Sequence, residues 1–279
     1  MKHTTIIAEL GINHNGDLLI AKQMIMAAKA AGADLVKFQK RTIDKVYSKA
    51  ELDKPRESPW GTTNRVQKEG LEFDLDEYKE IDRYCKELEI DWIASCWDLE
   101  SFKFIQQFNC PYNKVASAML GHTELLNAIA DEGKETFIAT GMSVLSEISL
   151  AVDLFEAKKC PYILMHCNSQ YPMPDERANL SLIPFYKKEY ECEVGWSGHE
   201  VGIITSVAAV CYGATVIERH LTLDRSMYGS DQAASIEPQG FSKMVEYIRV
   251  VEKVGGHALK TISRAEQACR DKLRRTEDV

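Results

Sequence analysis

The chain lacks long apolar runs: its hydrophobic stretches are short and interrupted by charged and polar residues, so no segment reads as a membrane span. It lacks a basic excess. With 34 Lys and Arg against 42 Asp and Glu, the formal net charge is −8, which argues against a general nucleic-acid binder. Its eight cysteines form no C-x-x-C pair and are scattered at 85, 96, 110, 160, 167, 192, 211 and 269. That usage argues against a zinc module and a disulfide scaffold, and fits reduced thiols in a cytoplasm. The opening MKHTTIIAELG carries one lysine and no apolar stretch of the kind a secretory signal needs. The expectation is a soluble cytoplasmic protein with no membrane or nucleic-acid partner. A local basic site for an anionic small molecule stays compatible with the acidic whole.

What is present is a regular alternation. Eight short apolar runs have strand character: TTIIAEL (4–10), DLVKFQ (34–39), DWIASC (91–96), YNKVAS (112–117), TFIAT (136–140), YILMHC (162–167), EVGWSGH (193–199) and ATVIERH (214–220). Between them lie amphipathic stretches with helical spacing, such as LLIAKQMIMAAKAAGA (18–33) and LDEYKEIDRYCKELEI (75–90). Glycines or short polar groups end several of these just before the next strand. Eight strands alternating with helices over roughly 250 residues predict a (β/α)8 TIM barrel, in preference to a doubly wound sheet, which would not need eight. The barrel is placed at residues 1–255, and the polar stretch 256–279 reads as a C-terminal arm or remnant linker. One connection, residues 41–74, exceeds the ~12–15 residues usual for a loop. It follows a strand, so it lies on the face where barrels keep their sites.

Barrel sites are built at the carboxyl ends of the strands. Those ends carry Glu9, Lys37 with Gln39, Ser95, Lys114 with Ser117, Thr140, His166, Ser197 with His199, and Glu218 with His220. Residues two apart share a strand face, and polar pairs on one face of apolar strands are hard to read as packing. His199 and His220 end neighbouring strands and suit a shared metal with positions left for water or substrate. Lys37 and Lys114 aimed into one mouth suit phosphate or carboxylate groups. Glu9 and Glu218 either neutralise these lysines or, beside a polyol substrate, hold hydroxyls or move a proton. For His14 and His166 a structural role is the preferred reading. Cys96 and Cys167 are weak nucleophile candidates, with no Cys–His arrangement behind them.

These residues also carry a resemblance. IIAELGINHNGD, ADLVKFQ, YNKVAS, ATGM, HCNSQYP, GWSGHE and VIERHLTLDRSMYGSD resemble, in order, the motifs of the sialic acid synthases, the N-acetylneuraminate synthase type of phosphoenolpyruvate-condensing sugar-acid synthase. The match runs from about residue 4 to 255. It implies condensation of phosphoenolpyruvate with an N-acetylmannosamine-like aldose, free or phosphorylated, by a homodimer. By resemblance, His199 and His220 would bind a divalent metal, Mn2+ or alternatively Mg2+, that polarises the aldehyde oxygen. Lys37 and Lys114, with Ser95 and Ser117, would hold phosphoenolpyruvate. Glu9 would manage a water or proton, Glu218 would stand close to the reacting centre, and Gln39, Ser169, Tyr171, Ser197 and Asp231 would line the pockets. Two other readings stay open: a Schiff-base aldolase using Lys37 or Lys114, and a non-catalytic sugar- or phosphate-binding relative.

The chain departs from the family pattern in four places. SGH replaces the usual SDH, so Gly198 stands where an acidic residue would orient His199. ASCWD (94–98) replaces STPF, and IAT replaces LST, so Ala139 offers no hydroxyl. Family members commonly continue into a small antifreeze-like domain that donates an arginine to the partner's sugar site, and the tail here resembles the linker to it. Either another group supplies that contact, with Arg56 or Arg65 of the 41–74 connection as candidates, or the acceptor sugar differs.

Overall fold

Each of the eight apolar runs forms a strand, and each strand pairs in parallel with its two neighbours until the sheet closes. The computed structural model describes residues 3–256 and 259–275. In chain order the strands are β1 (Thr5–Gly11), β2 (Leu35–Lys40), β3 (Pro55–Ser58), β4 (Gly61–Thr63), β5 (Asp91–Cys96), β6 (Asn113–Val115), β7 (Thr136–Ala139), β8 (Tyr162–Cys167), β9 (Glu193–Gly198) and β10 (Val216–His220). The closed barrel runs β1-β10-β9-β8-β7-β6-β5-β2. It is the expected (β/α)8 barrel. Parallel strands buried on both faces need apolar side chains in both directions, and Ile6, Ile7, Ala8, Val36, Ile138, Leu164, Met165 and Ile217 are fully buried.

The helices form where an apolar stripe meets an N-terminal cap. Asp17 accepts from the N–H groups of Leu19 and Ile20 and starts Leu18–Ala30, which turns Ala21, Met24, Ile25 and Ala28 inward. Asp74 and Glu77 close a capping box on Leu75–Glu87, whose buried residues are Tyr78, Ile81 and Cys85. Pro238 opens the last barrel helix, Pro238–Val254, and Phe241, Met244, Val245 and Ile248 seat it. Burying side chains of this size stabilises by roughly 1.5–3 kcal/mol each.

The 41–74 connection is not an irregular loop. It folds into short helices Ile43–Val46, Lys49–Leu52 and Asn64–Glu69 around the antiparallel hairpin β3–β4. Its far end is clamped to the first βα loop. Gly16 has φ +64°, and a Cβ there would stand 1.9 Å from the Gly70 carbonyl oxygen, so only glycine allows the approach. The hairpin's Trp60 packs edge-on against Tyr228 in the loop after β10. This subdomain therefore lies across the carboxyl ends of the strands.

Part of the 256–279 arm, residues 257, 258 and 276–279, lies outside the described residues. The described part contains helix Arg264–Leu273, which buries none of its residues. Among the described residues no helix is long and apolar enough to cross a membrane.

Candidate active site

Strand register decides which side chains meet. Glu9 on β1 lies beside Lys37 on β2 and beside His220 on β10, Glu218 lies beside Ser197 on β9, and Ser95 on β5 lies beside both Gln39 and Lys114. Alternation along β10 sends Glu218 and His220 into the barrel mouth and Arg219 outward.

At the base of the mouth Glu218 joins two cations. Lys114 Nζ is 3.0 Å from its Oε2, and Lys37 Nζ is 3.6 Å from its Oε1 and 2.7 Å from Glu9 Oε2. Ser197 Oγ donates to Glu218 Oε1 at 3.1 Å, and Gln39 Nε2 donates to Glu9 Oε1 at 2.6 Å. Lys37 and Lys114 are only 4% and 3% exposed, so neither is a surface lysine covering apolar area. Burial alone would raise the Glu218 pKa, but Lys114 and Lys37 overcome it and hold the carboxyl below its ordinary range. Burial likewise would lower Lys37, and Glu218 and Glu9 reverse it to a raised value. The cluster is thus built as charged groups in a dry setting, which suits an anionic ligand exchanging for the internal carboxylates.

A cavity of about 200 Å³ sits above this cluster. Of the residues expected from the sequence, Glu9, Lys37, Gln39, Ser95, Lys114, Ser117, Ser169, Tyr171, Ser197, His199, Glu218 and His220 all line it. Asp231 does not; it stands at the rim with Oδ2 3.9 Å from His220 Nδ1. Ser95 Oγ is buried and has no hydrogen-bond partner among the described residues, an unused donor beside Lys114. Ser117 Oγ accepts from the Gly141 N–H at 3.1 Å and lies 3.1 Å from Cys167 Sγ. A Cβ on Gly141 would stand 2.3 Å from Ser169 Oγ and 2.8 Å from Ser117 Oγ, so glycine lets these hydroxyls converge.

The two histidines lie with ring centres 5.5 Å apart, and the Tyr171 ring, tilted by 37°, packs on His199 at 4.0 Å. The Asn168 carbonyl, 2.7 Å from His199 Nδ1, can only accept, so Nδ1 carries the proton and Nε2 keeps its lone pair. Burial first, and His220 second, push the His199 pKa down to about 3, leaving it neutral. His220 Nδ1 has no hydrogen-bond partner among the described residues. The His199 Nε2 lone pair and the unpartnered His220 Nδ1 leave the two side chains suited to a divalent ion. Among the described residues no group of three or more His, Cys, Asp or Glu is arranged to hold one, so further ligands would be water or substrate oxygens.

Gly198 does not leave His199 unoriented, because the Asn168 carbonyl does that work. The space an acidic side chain would occupy is filled: a Cβ on Gly198 would meet Glu200 Oε2 at 2.3 Å and Trp196 Nε1 at 2.5 Å. The expectation for Arg56 and Arg65 is corrected. Neither lines the cavity, and Arg65 is held by Asp44 at 2.7 Å and Glu69 at 3.1 Å. His166 is turned to the Ala178 carbonyl and His14 stacks on Phe73, both away from the cavity. Cys167 lines it, but burial raises its pKa and leaves it a thiol, not an activated nucleophile. Sequence reasoning did not single out Arg41, which touches Gln39, or the outward pair Arg219–Glu200 at 2.6 Å. Arg41 follows directly on the FQK run that ends β2, which was the available signal.

A closed barrel whose carboxyl-end mouth gathers paired lysines, carboxylates and two neighbouring histidines is built as enzyme barrels are. The comparisons narrow the class. The NeuB family model matches residues 24–260. N-acetylneuraminate-9-phosphate synthase of Homo sapiens is 38% identical over 96% of this chain and 76% of its own. N,N'-diacetyllegionaminic acid synthase of Campylobacter jejuni is also 38% identical, over 96% of this chain and 82% of its own. The crystal structure of N-acetylneuraminic acid synthetase from Leptospira borgpetersenii in complex with citrate superposes with a TM-score of 0.86 at 32% identity, covering 99% and 94% of the two chains. The chain belongs to the NeuB family and is a synthase of the sialic acid synthase type.

Proposed function

We propose that the chain condenses phosphoenolpyruvate with the aldehyde of an N-acetylmannosamine-like aldose, free or phosphorylated. The product is a sialic-type nonulosonic acid, or a related 3-deoxy-2-keto sugar acid, with inorganic phosphate. The observation that carries this reading is the pair of buried lysines flanking Glu218, with the unused Ser95 hydroxyl beside them. An anion with both a carboxylate and a phosphate answers two separate cations.

In this reading Lys37, Lys114, Ser95 and Ser117 bind phosphoenolpyruvate and set its carbon 3 toward the aldehyde. The new bond forms from carbon 3 to the aldehyde carbon, water adds at carbon 2, and phosphate leaves. Glu9 takes a proton from that water or returns one to the nascent alkoxide, and Glu218 holds the two lysines apart and oriented. Gln39, Ser169, Tyr171, Ser197 and Asp231 bound the sugar and phosphate pockets. His199 and His220 would hold a divalent ion, Mn2+ or Mg2+, which supplies Lewis-acid polarisation of the aldehyde oxygen when bound.

A Schiff-base aldolase needs a lysine that loses its proton readily. Lys37 is held charged by Glu218 and Glu9, which opposes that role. Borohydride reduction in the presence of pyruvate tests the choice. The synthase reading predicts no covalent adduct by mass spectrometry; an adduct on Lys37 or Lys114 would refute it.

A further inference from the structure

We infer that Arg41 is a positioning residue that fixes the Gln39 carboxamide and, through it, makes Glu9 a hydrogen-bond acceptor in the site. The inference rests on the role proposed for Glu9.

Donors and acceptors decide the orientation of the Gln39 amide. A guanidinium carries only N–H groups, so the atom of Gln39 that meets Arg41 Nη2 must be the carboxamide oxygen. The amide nitrogen then faces Glu9, and Nε2 donates to Oε1 at 2.6 Å. With the amide reversed, two oxygens would stand 2.6 Å apart while two sets of N–H groups met at Arg41. Only one orientation satisfies all three side chains, and Arg41 is the member that cannot change its role. Its hold leaves Glu9 one oxygen for Gln39 and the other for Lys37.

Arg41 is itself held on two sides, by Trp97 and by Glu72. Its guanidinium lies 4.1 Å from the ring centre of Trp97, which lines the cavity. Its Nη1 is 3.7 Å from Glu72 Oε1, and Glu72 Oε2 accepts from the Arg41 backbone N–H at 3.1 Å and from Lys40 at 3.2 Å. Glu72 closes the 41–74 subdomain back onto β2, so the same contacts that seat that subdomain set the Gln39 amide.

Arg41→Met keeps the bulk over Trp97 but cannot donate, whereas Arg41→Lys keeps a donor. If Arg41 acts through Gln39, Arg41→Met lowers kcat about tenfold or more with KM for phosphoenolpyruvate held within about twofold, and Arg41→Lys recovers most of it. In a Gln39→Ala background Arg41→Met then adds no further loss. Wild-type kcat in Arg41→Met, or losses that multiply in the double variant, would overturn the inference. A second readout does not depend on turnover. The Gln39 side-chain NH2 signals, identified by their absence in Gln39→Ala, should exchange slowly with solvent in the native protein and much faster in Arg41→Met. Equal exchange in the two overturns the inference even if no aldose is turned over, an outcome that would count against the proposed reaction instead.

Discussion

Lys114 Nζ lies 3.0 Å from Glu218 Oε2, with both side chains almost wholly inside the barrel. The second oxygen of Glu218 faces Lys37, so one carboxylate keeps two buried ammonium groups apart. Glu218→Ala should therefore cost stability as well as activity. Removing one partner of a buried ion pair costs about 3–5 kcal/mol, and here Lys114 loses its carboxylate while Lys37 keeps Glu9. Urea unfolding should show the midpoint fall with an unchanged slope, while a variant as stable as the native chain would mean the lysines find other partners.

Gly198 marks the place where the family pattern has an acidic residue, and the structure explains its absence by space. Glu200 Oε2 and Trp196 Nε1 already occupy the direction of a Cβ. Gly198→Ala should destabilise by about 1–3 kcal/mol, the usual cost of overpacking, and Gly198→Asp by more. Thermal melts of the two variants check this; an aspartate variant melting with the native protein would show that the carboxylate of Glu200 moves aside.

Arg219 is fully buried on the outer face of β10 and meets Glu200 through its side chain at 2.6 Å and its carbonyl at 2.6 Å. Arg219→Met leaves the Glu200 carboxylate with Ser206 as its remaining partner, and should cost about 3–5 kcal/mol. The double change Arg219→Met with Glu200→Met should cost less than the single one, because no uncompensated charge stays behind. Chemical denaturation of the three proteins decides it, and a double variant weaker than Arg219→Met would contradict the account.

Much of this architecture was legible in the chain because period-2 alternation and strand ends are local properties. The pairs Lys37 with Gln39, Ser197 with His199 and Glu218 with His220 lie two apart, so their shared face follows from strand geometry alone. Lys114 and Ser117 were legible as strand-end residues, although β6 stops at Val115 and Ser117 opens a 3-10 turn. Arg219 was not legible: an outward charge on a barrel strand gains meaning only from Glu200, which the loop after β9 brings to it. The subdomain of 41–74 was hidden for a similar reason. Its hairpin and helices are too short to show a period, although the Pro59–Trp60 step between β3 and β4 is a turn signal. The orientation of His199 depends on a backbone carbonyl, which no side-chain pattern reports.

Acid should weaken the fold through buried neutral histidines. Burial pushes the His14 pKa from 6.5 to about 3. Between those values the unfolded chain takes up a proton that the folded one does not, so stability falls as pH falls through this window. His14→Phe removes that term and should flatten the decline in unfolding free energy between roughly pH 6 and pH 4. An identical slope in the two proteins would show that His14 is not the group responsible.

Inorganic phosphate release from phosphoenolpyruvate, measured across a panel of free and phosphorylated N-acylhexosamines with Mn2+ and with a chelator, decides whether the chain runs the proposed condensation. Release should require an aldose, stop with chelator, and be abolished by His220→Ala in a protein that still folds. Absence of aldose-dependent release across the panel, or full turnover by His220→Ala, would contradict it.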